Sequence, residues 1–278
     1  MPFYSGAIVG TNWKVGKTIG RGGYGRVWDV VKDRKNACLK ENDKASMTLF
    51  EARVLRSLSG GVGVQKLIEE GVHHGLPFVI VEKEGIALED LGERHNNALP
   101  LPMVLTLLYK GLKGLRTLHY RHIAHRDVSP GNLLLSKRSG CKVVWIDHGL
   151  SAFFRQDGTV MEHEATEPKD YRYGSPALRS GGDFEYSDDV FGLLLSVLEF
   201  TEYSPFDKDD KISMDTVKKI AANDKDVPIP LTSLRNFISI LNINNRSPTD
   251  RLPTLPPHQK LMDCLTQSSS YNPNTILN

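Results

Sequence analysis

The sequence predicts an α+β fold in two lobes, a small β-rich lobe followed by a larger helical one. Short β-prone runs and a single amphipathic helix fill the first hundred residues, whereas helical periodicity dominates after Pro100. The change falls near residues 82–88 and divides the chain into an N-terminal lobe at 13–84 and a C-terminal lobe at 85–266. Because ligands favour clefts between lobes, we expect the functional site at this junction.

The predicted N-terminal lobe consists of five strands and one helix. Glycines and charged turns separate the β-prone runs. Leu49, Ala52, Leu55 and Leu58 recur at helical spacing and define the apolar face of the helix. The strands are predicted at residues 13–19, 26–31, 36–40, 65–71 and 77–81.

A long amphipathic helix opens the predicted C-terminal lobe. Its apolar face carries Leu105, Leu108, Leu112, Leu115 and Leu118. After it, the sequence predicts strands at 133–135 and 142–146, an irregular acidic stretch to about 173, helices at 187–200, 214–222, 231–241 and 258–265, and a polar tail at 267–278.

Composition excludes several classes of protein. With 40% hydrophobic and 24% charged residues, the chain is neither disordered nor a coiled coil. Its three cysteines lack CxxC spacing, which argues against a zinc site or disulfide framework and favours a reducing, intracellular compartment. The longest apolar run, near residues 190–200, is too short to cross a membrane. The net charge of +2 argues neither way about nucleic acid; we expect no nucleic-acid or membrane partner, and a monomer.

Gly20, Gly22 and Gly25 form a G-x-G-x-x-G pattern. The pattern can indicate a dinucleotide-binding fold, a P-loop or simply a glycine-rich hairpin turn. A dinucleotide fold needs a helix directly after the glycines, but the β-prone Val27 and Trp28 follow. A P-loop ending at 16–18 needs glycine at position 11, where the residue is Thr11. The pattern therefore favours a glycine-rich hairpin that covers phosphates and ends in Val27.

A hairpin of this kind is expected to work with a lysine on the following strand. Lys40 lies on that strand and is expected to reach the α and β phosphates. Because an unpaired ammonium in a cleft is costly, it needs a partner, and Glu51 on the amphipathic helix is the candidate.

Further motifs carry a family resemblance. The sequence HRDVSPGN at 125–132 resembles the catalytic loop H-R-D-x-x-x-x-N of the protein kinase superfamily. WIDHG at 145–149 resembles its D-F-G metal motif, and YGSPA at 173–177 resembles an altered A-P-E. SDDVFG at 187–192 resembles the start of the family's central helix, whose aspartate braces the catalytic loop. DRLPT at 250–254 resembles its D-x-R-P-T motif. The motifs occur in order, which implies a bilobal kinase domain over 13–266.

The resemblance implies a role for each polar residue. Asp127 accepts or orients the substrate hydroxyl proton, Lys40 neutralises phosphate charge, and Asn132 and Asp147 hold Mg²⁺. The hinge at 82–84 binds adenine, with Val81 as gatekeeper and Cys38 in the place of the usual alanine over the base. The implied ATP-binding residues are Ile19, Gly20, Arg21, Gly22, Gly23, Tyr24, Gly25, Arg26, Val27, Cys38, Lys40, Val81, Glu82, Glu84 and Leu134.

Several positions depart from the family pattern. Ser129 replaces a lysine of Ser/Thr kinases, His148 replaces the phenylalanine of D-F-G, and Ala177 replaces the A-P-E glutamate, while Lys169 and Asp170 replace Gly-Thr in the substrate loop. The phosphoryl-transfer residues are all retained. We therefore expect an active, divergent, Mg²⁺-dependent kinase that transfers the γ-phosphoryl group of ATP to serine or threonine of proteins; the alternative is a pseudokinase acting as a nucleotide-binding or scaffolding module.

Two further segments resemble the casein kinase 1 and vaccinia-related kinase group. They are GIALEDL at 85–91 and RYGS at 172–175. Acidic residues outnumber basic ones by seventeen to nine over residues 151–230, which would favour basic protein substrates.

Overall fold

The structure is a computed structural model that describes residues 3–22, 25–136, 142–154, 160–163, 172–201, 204–206, 212–226, 232–243, 255–268 and 271. Several predictions fall partly or wholly on other positions, among them parts of the predicted acidic stretch and of the polar tail. Gly23, Tyr24, the substrate-loop pair Lys169 and Asp170, and the motif at 250–254 lie outside the described residues.

An antiparallel six-stranded sheet forms the N-terminal lobe, with strand order β1-β2-β3-β4-β6-β5. Its strands are β1 (Ile8–Val9), β2 (Trp13–Gly22), β3 (Gly25–Lys32), β4 (Lys35–Asn42), β5 (Leu67–His73) and β6 (Leu76–Glu82). Five of them confirm the predicted runs, with β5 displaced by two residues, and β1 was not predicted. A short apolar segment, Phe3, Ala7 and Val9, packs on the outer face of the sheet, so the packed lobe begins before residue 13.

Helix α1 (Ala45–Ser57) covers the inner face of this sheet. It buries Met47, Phe50, Glu51 and Val54. The prediction that Leu49 belongs to the apolar face is wrong, because its side chain is 57% exposed. At about 100° per residue, Leu49 lies about 200° around the helix from Met47.

The C-terminal lobe is helical and carries two small sheets. Its helices are α2 (Leu88–Arg94), α3 (Leu101–His119), α4 (Pro176–Arg179), α5 (Tyr186–Leu198), α6 (Met214–Ala221), α7 (Thr232–Leu241) and α8 (His258–Thr266). One sheet has the order β10-β9-β7 and the other β12-β11-β8. Their strands are β7 (Ile86–Ala87), β8 (Ile123–Ala124), β9 (Leu133–Ser136), β10 (Lys142–Trp145), β11 (Ala152–Phe154) and β12 (Val160–His163). The predicted α+β division is confirmed. The short elements α2, α4, β7, β8, β11 and β12 were missed because each has too few residues to show a period.

The core of this lobe is built around α3 and α5. The five leucines predicted to line one face of α3 are all fully buried. Helix α5 is buried around nearly its whole circumference and is mostly apolar after its first turn, and such a helix is stable only when surrounded by protein. Trp145 of β10 packs on α3, where its Nε1 donates to the Gly111 carbonyl at 2.9 Å. This core holds the ends of α3 and α5 beneath the loop that carries Asp127. Within the described residues, no helix has the length and apolar character needed to cross a membrane.

Candidate active site

The glycine-rich segment is a β-hairpin. Strands β2 and β3 pair with Gly20 opposite Val27 and Gly22 opposite Gly25. A strand rather than a helix follows the glycines, so the predicted hairpin is confirmed and the dinucleotide alternative is wrong, while its role over phosphates stays a prediction. At Gly25 the hairpin lies directly against β4, where a Cβ atom would collide with the Glu41 carbonyl oxygen. The backbone at this end of the hairpin is therefore seated on the strand that carries Lys40.

Lys40 joins the two lobes through a partly buried ion-pair cluster. Its Nζ lies 2.8 Å from Glu51 Oε1 and 2.6 Å from Asp147 Oδ1. Burial alone would lower the pKa of Lys40, but the charges of Asp147 and Glu51 outweigh burial and raise it. Burial likewise acts to raise the pKa of Asp147, and Lys40 overcomes this and lowers it. Lys40 and Asp147 are thus held in their charged forms.

Glu51 has further hydrogen-bond donors besides the lysine. Asn42 donates from Nδ2 to Glu51 Oε2 at 3.2 Å, and the His148 backbone N–H donates to Oε1 at 3.3 Å. Asn42 is in turn held because its backbone N–H donates to Thr48 Oγ1 at 3.0 Å. Sequence reasoning missed Asn42. The available signal was an amide residue two positions after the lysine, on the same face of the strand.

The catalytic loop places Asp127 beside Asn132. A 3-10 turn at Pro130–Asn132 brings the asparagine back, so that its Nδ2 donates to the Asp127 carbonyl at 2.9 Å and to Asp127 Oδ2 at 2.8 Å. Burial raises the pKa of Asp127, and the nearby charge of Asp147 adds to the effect, against opposing contributions from His125, Asn132 and Lys40. The loop therefore holds a carboxylate that is more basic than an ordinary aspartate.

Helix α5 holds this loop from below. Asp189 accepts from the His125 backbone N–H at 2.8 Å and from the Arg126 backbone N–H at 3.0 Å. Its Oδ2 also lies 2.9 Å from His119 Nε2. The predicted bracing aspartate is thus Asp189, whereas Asp188 caps its own helix by accepting from the Glu185 N–H.

His148 occupies the phenylalanine position of D-F-G. Its ring is fully buried 5.1 Å from the His125 ring, and neither nitrogen has a hydrogen-bond partner among the described residues. Burial and the proximity of His125 lower the pKa of His148 well below its usual value. The ring is therefore neutral near pH 7 and packs as an aromatic side chain.

The predicted adenine end of the site lies between β4, β6 and β9. Cys38 is opposite Val81 across the β4–β6 pair, in one apolar cluster with Val27. Burial raises the pKa of the Cys38 thiol to about 11, so Cys38 serves as a small neutral side chain. Leu134 is half-buried between two buried leucines and lies opposite Ala87 in the β9–β7 pair.

The remaining predicted nucleotide residues lie on the hinge and the hairpin. Glu82 ends β6, and Glu84 follows in the link to β7, where Lys142 Nζ lies 3.5 Å from Glu84 Oε1. On the hairpin, Ile19 is 40% exposed, and the exposed Arg21 faces the half-buried Arg26. The structure thus places the described members of this set along the edge of the junction between the lobes.

The departures at Ser129 and Ala177 leave no local break in the structure. Both side chains are half-buried. Ala177 lies in α4, which Ser175 caps by accepting from the Leu178 N–H. Arg172 and the Tyr173 hydroxyl each lie 2.7 Å from a different oxygen of Glu199, at the end of α5. This cluster holds the segment before α4 onto the central helix.

A β-rich lobe, a helical lobe and a lysine held by two carboxylates at their junction define the protein kinase fold class. Comparison with known families agrees: the family model described as "Protein kinase domain" matches residues 13–254, most of the chain. The chain therefore belongs to the protein kinase domain family, whose activity is phosphoryl transfer to proteins.

Proposed function

We propose that the protein is a catalytically active, Mg²⁺-dependent kinase that transfers the γ-phosphoryl group of ATP to serine or threonine hydroxyls of proteins. The observation that carries the proposal is the assembled cluster of Lys40, Glu51 and Asp147, with both ion pairs at 2.8 Å or less. A scaffold that had lost transfer has no need to hold these three charged side chains together at a partly buried junction, because such ion pairs contribute little to stability.

Each polar group is suited to one part of the reaction. Lys40, charged and 13% exposed, would neutralise the α and β phosphates. Asp127 would orient the substrate hydroxyl and take its proton, a role that its raised pKa favours. Gly20, Gly22 and Gly25 would present backbone N–H groups over the phosphates.

The donor set at Asn132 and Asp147 fits Mg²⁺. Asn132 donates from Nδ2 to Asp127, which leaves its amide oxygen available to bind a cation. The side chain of Asp147 is 41% exposed and is therefore accessible to the same cation. Among the described residues, no group of three or more His, Cys, Asp or Glu side chains could hold a metal. Two hard oxygen donors suit Mg²⁺, which takes its other ligands from phosphate and water. Bound there, the ion would neutralise the charge that develops on the transferred phosphoryl group.

Several features support the finer assignment. Serine or threonine specificity and kinship with the casein kinase 1 and vaccinia-related kinase group rest on the segments at 85–91 and 172–175. The excess of acidic residues over 151–230 supports a preference for basic protein substrates. Ser129 leaves the loop without the lysine that contacts the γ-phosphate, so we expect a lower kcat than in kinases that keep it.

Transfer from γ-labelled ATP to a panel of acidic and basic proteins tests the proposal. The unaltered protein should label serine or threonine with Mg²⁺ and not with EDTA. Asp127→Asn should lower kcat by about 10²-fold or more, because general-base catalysis contributes about that much. Asp215→Asn on exposed α6 is the matched control and should leave kcat unchanged.

Two results would contradict the proposal. Thermal stabilisation of the unaltered protein by Mg²⁺-ATP without any transfer would instead support the pseudokinase module. Equal labelling by Asp127→Asn and the unaltered protein would remove Asp127 from the reaction.

A further inference from the structure

Helix α8 is connected to the catalytic loop by a buried chain of hydrogen bonds. His258, the first residue of α8, lies with Nε2 3.0 Å from His119 Nδ1 at the end of α3. His119 Nε2 lies 2.9 Å from Asp189 Oδ2, and Asp189 accepts from the backbone N–H groups of His125 and Arg126. His119 and Asp189 are at most 1% exposed, and His258 is 2% exposed. Nothing in the chain of bonds is shared with water at the surface.

The chemistry of these groups sets the direction of the bonds. An ionised Asp189 can only accept, so His119 donates from Nε2. When His119 carries a single proton, its Nδ1 has a lone pair, and His258 donates to that atom from Nε2. This assignment leaves a bare lone pair on His258 Nδ1, and that atom is the one without a partner among the described residues. The geometry and the unpaired atom therefore agree on one set of tautomers.

The surroundings keep His258 neutral. Burial lowers the pKa of His258 to about 3, and the proximity of His119 and Arg116 adds to the effect. His258 is thus held as a single-proton donor aimed at His119.

Helix α8 lies beyond the part of the chain that matches the protein kinase family. The matched region ends at residue 254, and α8 begins at His258. The rest of α8 packs into the main core through Leu261, Met262 and Leu265. Gln259, the next residue, makes a separate exposed contact with α3 by accepting from Arg116 Nη1 at 3.2 Å.

We propose that His258 is a positioning residue of the kinase reaction: by donating to His119 it orients the Asp189 carboxylate that holds the backbone of the catalytic loop. The proposal rests on the proposed function for its kinetic consequence. Its structural consequence, the order of the loop amides at His125 and Arg126, is independent of that function.

Three full-length variants test the proposal. His258→Leu removes the donor and puts an apolar side chain in its place. His258→Gln keeps a donor, since the glutamine amide nitrogen lies about where histidine Nε2 does. Gln259→Leu removes only exposed contacts, those with Arg116 and with Asp263 of the same helix. We expect His258→Leu to lower kcat about tenfold with KM for ATP unchanged, as for the loss of one buried hydrogen bond, and His258→Gln and Gln259→Leu to stay within about twofold of the unaltered protein.

Nuclear magnetic resonance gives the second readout. The ring ¹⁵N shifts of His119 and His258 should report both protons on Nε2 in the unaltered protein. In His258→Leu, hydrogen exchange at the His125 and Arg126 amides should accelerate about tenfold more than exchange in β6, which is remote from the relay.

The outcomes separate the two proposals. If the unaltered protein transfers no phosphate, the proposed function fails, and the exchange measurement alone decides the role of His258. Equal kcat and equal loop exchange in His258→Leu would overturn the positioning role. A uniform loss of stability and activity shared by His258→Leu, His258→Gln and Gln259→Leu would also overturn it, because it would show that α8 docking is all that matters.

Discussion

At the scale of single residues, the site depends on how Glu51 is held. Its side chain is 1% exposed and accepts from Lys40, from Asn42 and from the His148 backbone. A buried carboxylate is stable only when its acceptor capacity is satisfied, and here two donors come from β4 and the third from the segment after β10. The orientation of Lys40 therefore depends on a residue, Asn42, that has no place in any catalytic motif.

Asn42→Asp tests this dependence. The new carboxylate would lie against Glu51 Oε2, where Asn42 Nδ2 now lies at 3.2 Å, and two like charges at that distance repel. We expect kcat/KM for ATP to fall by about tenfold or more, because Glu51 and Lys40 separate. Asn36→Asp, the same change at the exposed start of β4, is the control for steady-state kinetics. A value for Asn42→Asp within twofold of the Asn36→Asp value would show that Asn42 has no part in holding Glu51.

At the scale of elements, two glycines set how closely α3 packs against its neighbours. A Cβ atom on Gly114 would lie 2.5 Å from the Gly63 carbonyl oxygen and 2.5 Å from Trp145 Cδ1. A Cβ atom on Gly111 would instead lie 2.8 Å from Leu193 Cδ1, the end of a flexible side chain. The Gly63 carbonyl is backbone, and it accepts at 3.0 Å from the N–H of Trp145, the last residue of β10, which leads directly to Asp147.

Alanine substitution at both positions should separate these effects. Both substitutions gain the same helix propensity, so their difference in unfolding free energy reports packing alone. We expect Gly114→Ala to be less stable than Gly111→Ala by about 2 kcal/mol, as for an overpacked core. Urea denaturation measures this difference. Equal free energies of unfolding for the two variants would show that the backbone facing Gly114 can move away from α3 without loss of stability.

At the scale of the whole molecule, the N-terminal lobe carries apolar clusters on both faces of its sheet. The inner face packs on α1, and the outer face is covered by the segment containing Phe3, whose ring lies 6.2 Å from that of Phe78 in an edge-to-face arrangement. Burial of an aromatic side chain is one of the largest single contributions to stability. Residues ahead of the matched family region thus help to hold the lobe that carries Lys40.

Phe3→Ala and Tyr4→Ala provide a matched pair. Phe3 is 1% exposed and Tyr4 is 59% exposed. We expect Phe3→Ala to lose about 3 kcal/mol of N-terminal-lobe stability and Tyr4→Ala less than about 0.5 kcal/mol. Hydrogen exchange in β2 and β6 measures the loss in this lobe separately from the other. Equal exchange in the two variants would show that the lobe folds without its first residues.

The sequence by itself determined the two lobes, the hairpin after the glycines and the positions of Lys40, Glu51, Asp127, Asn132 and Asp147. These were predictable because periodicity is a property of neighbouring residues, and because motif spacing fixes which side chains a short loop can bring together. The same local signal explains the error at Leu49, where leucines at helical spacing were assigned to one face although the packed face lies further around the helix.

Only the tertiary structure decided that Asn42 supports Glu51 and that His258 reaches the catalytic loop through His119, since His119 and His258 are 139 positions apart. A lone histidine at the start of a helix has no sequence pattern that reveals its partner. Its role arises when α3, α5 and α8 pack together and exclude water, because a polar side chain buried in this way must find its hydrogen bonds within the protein.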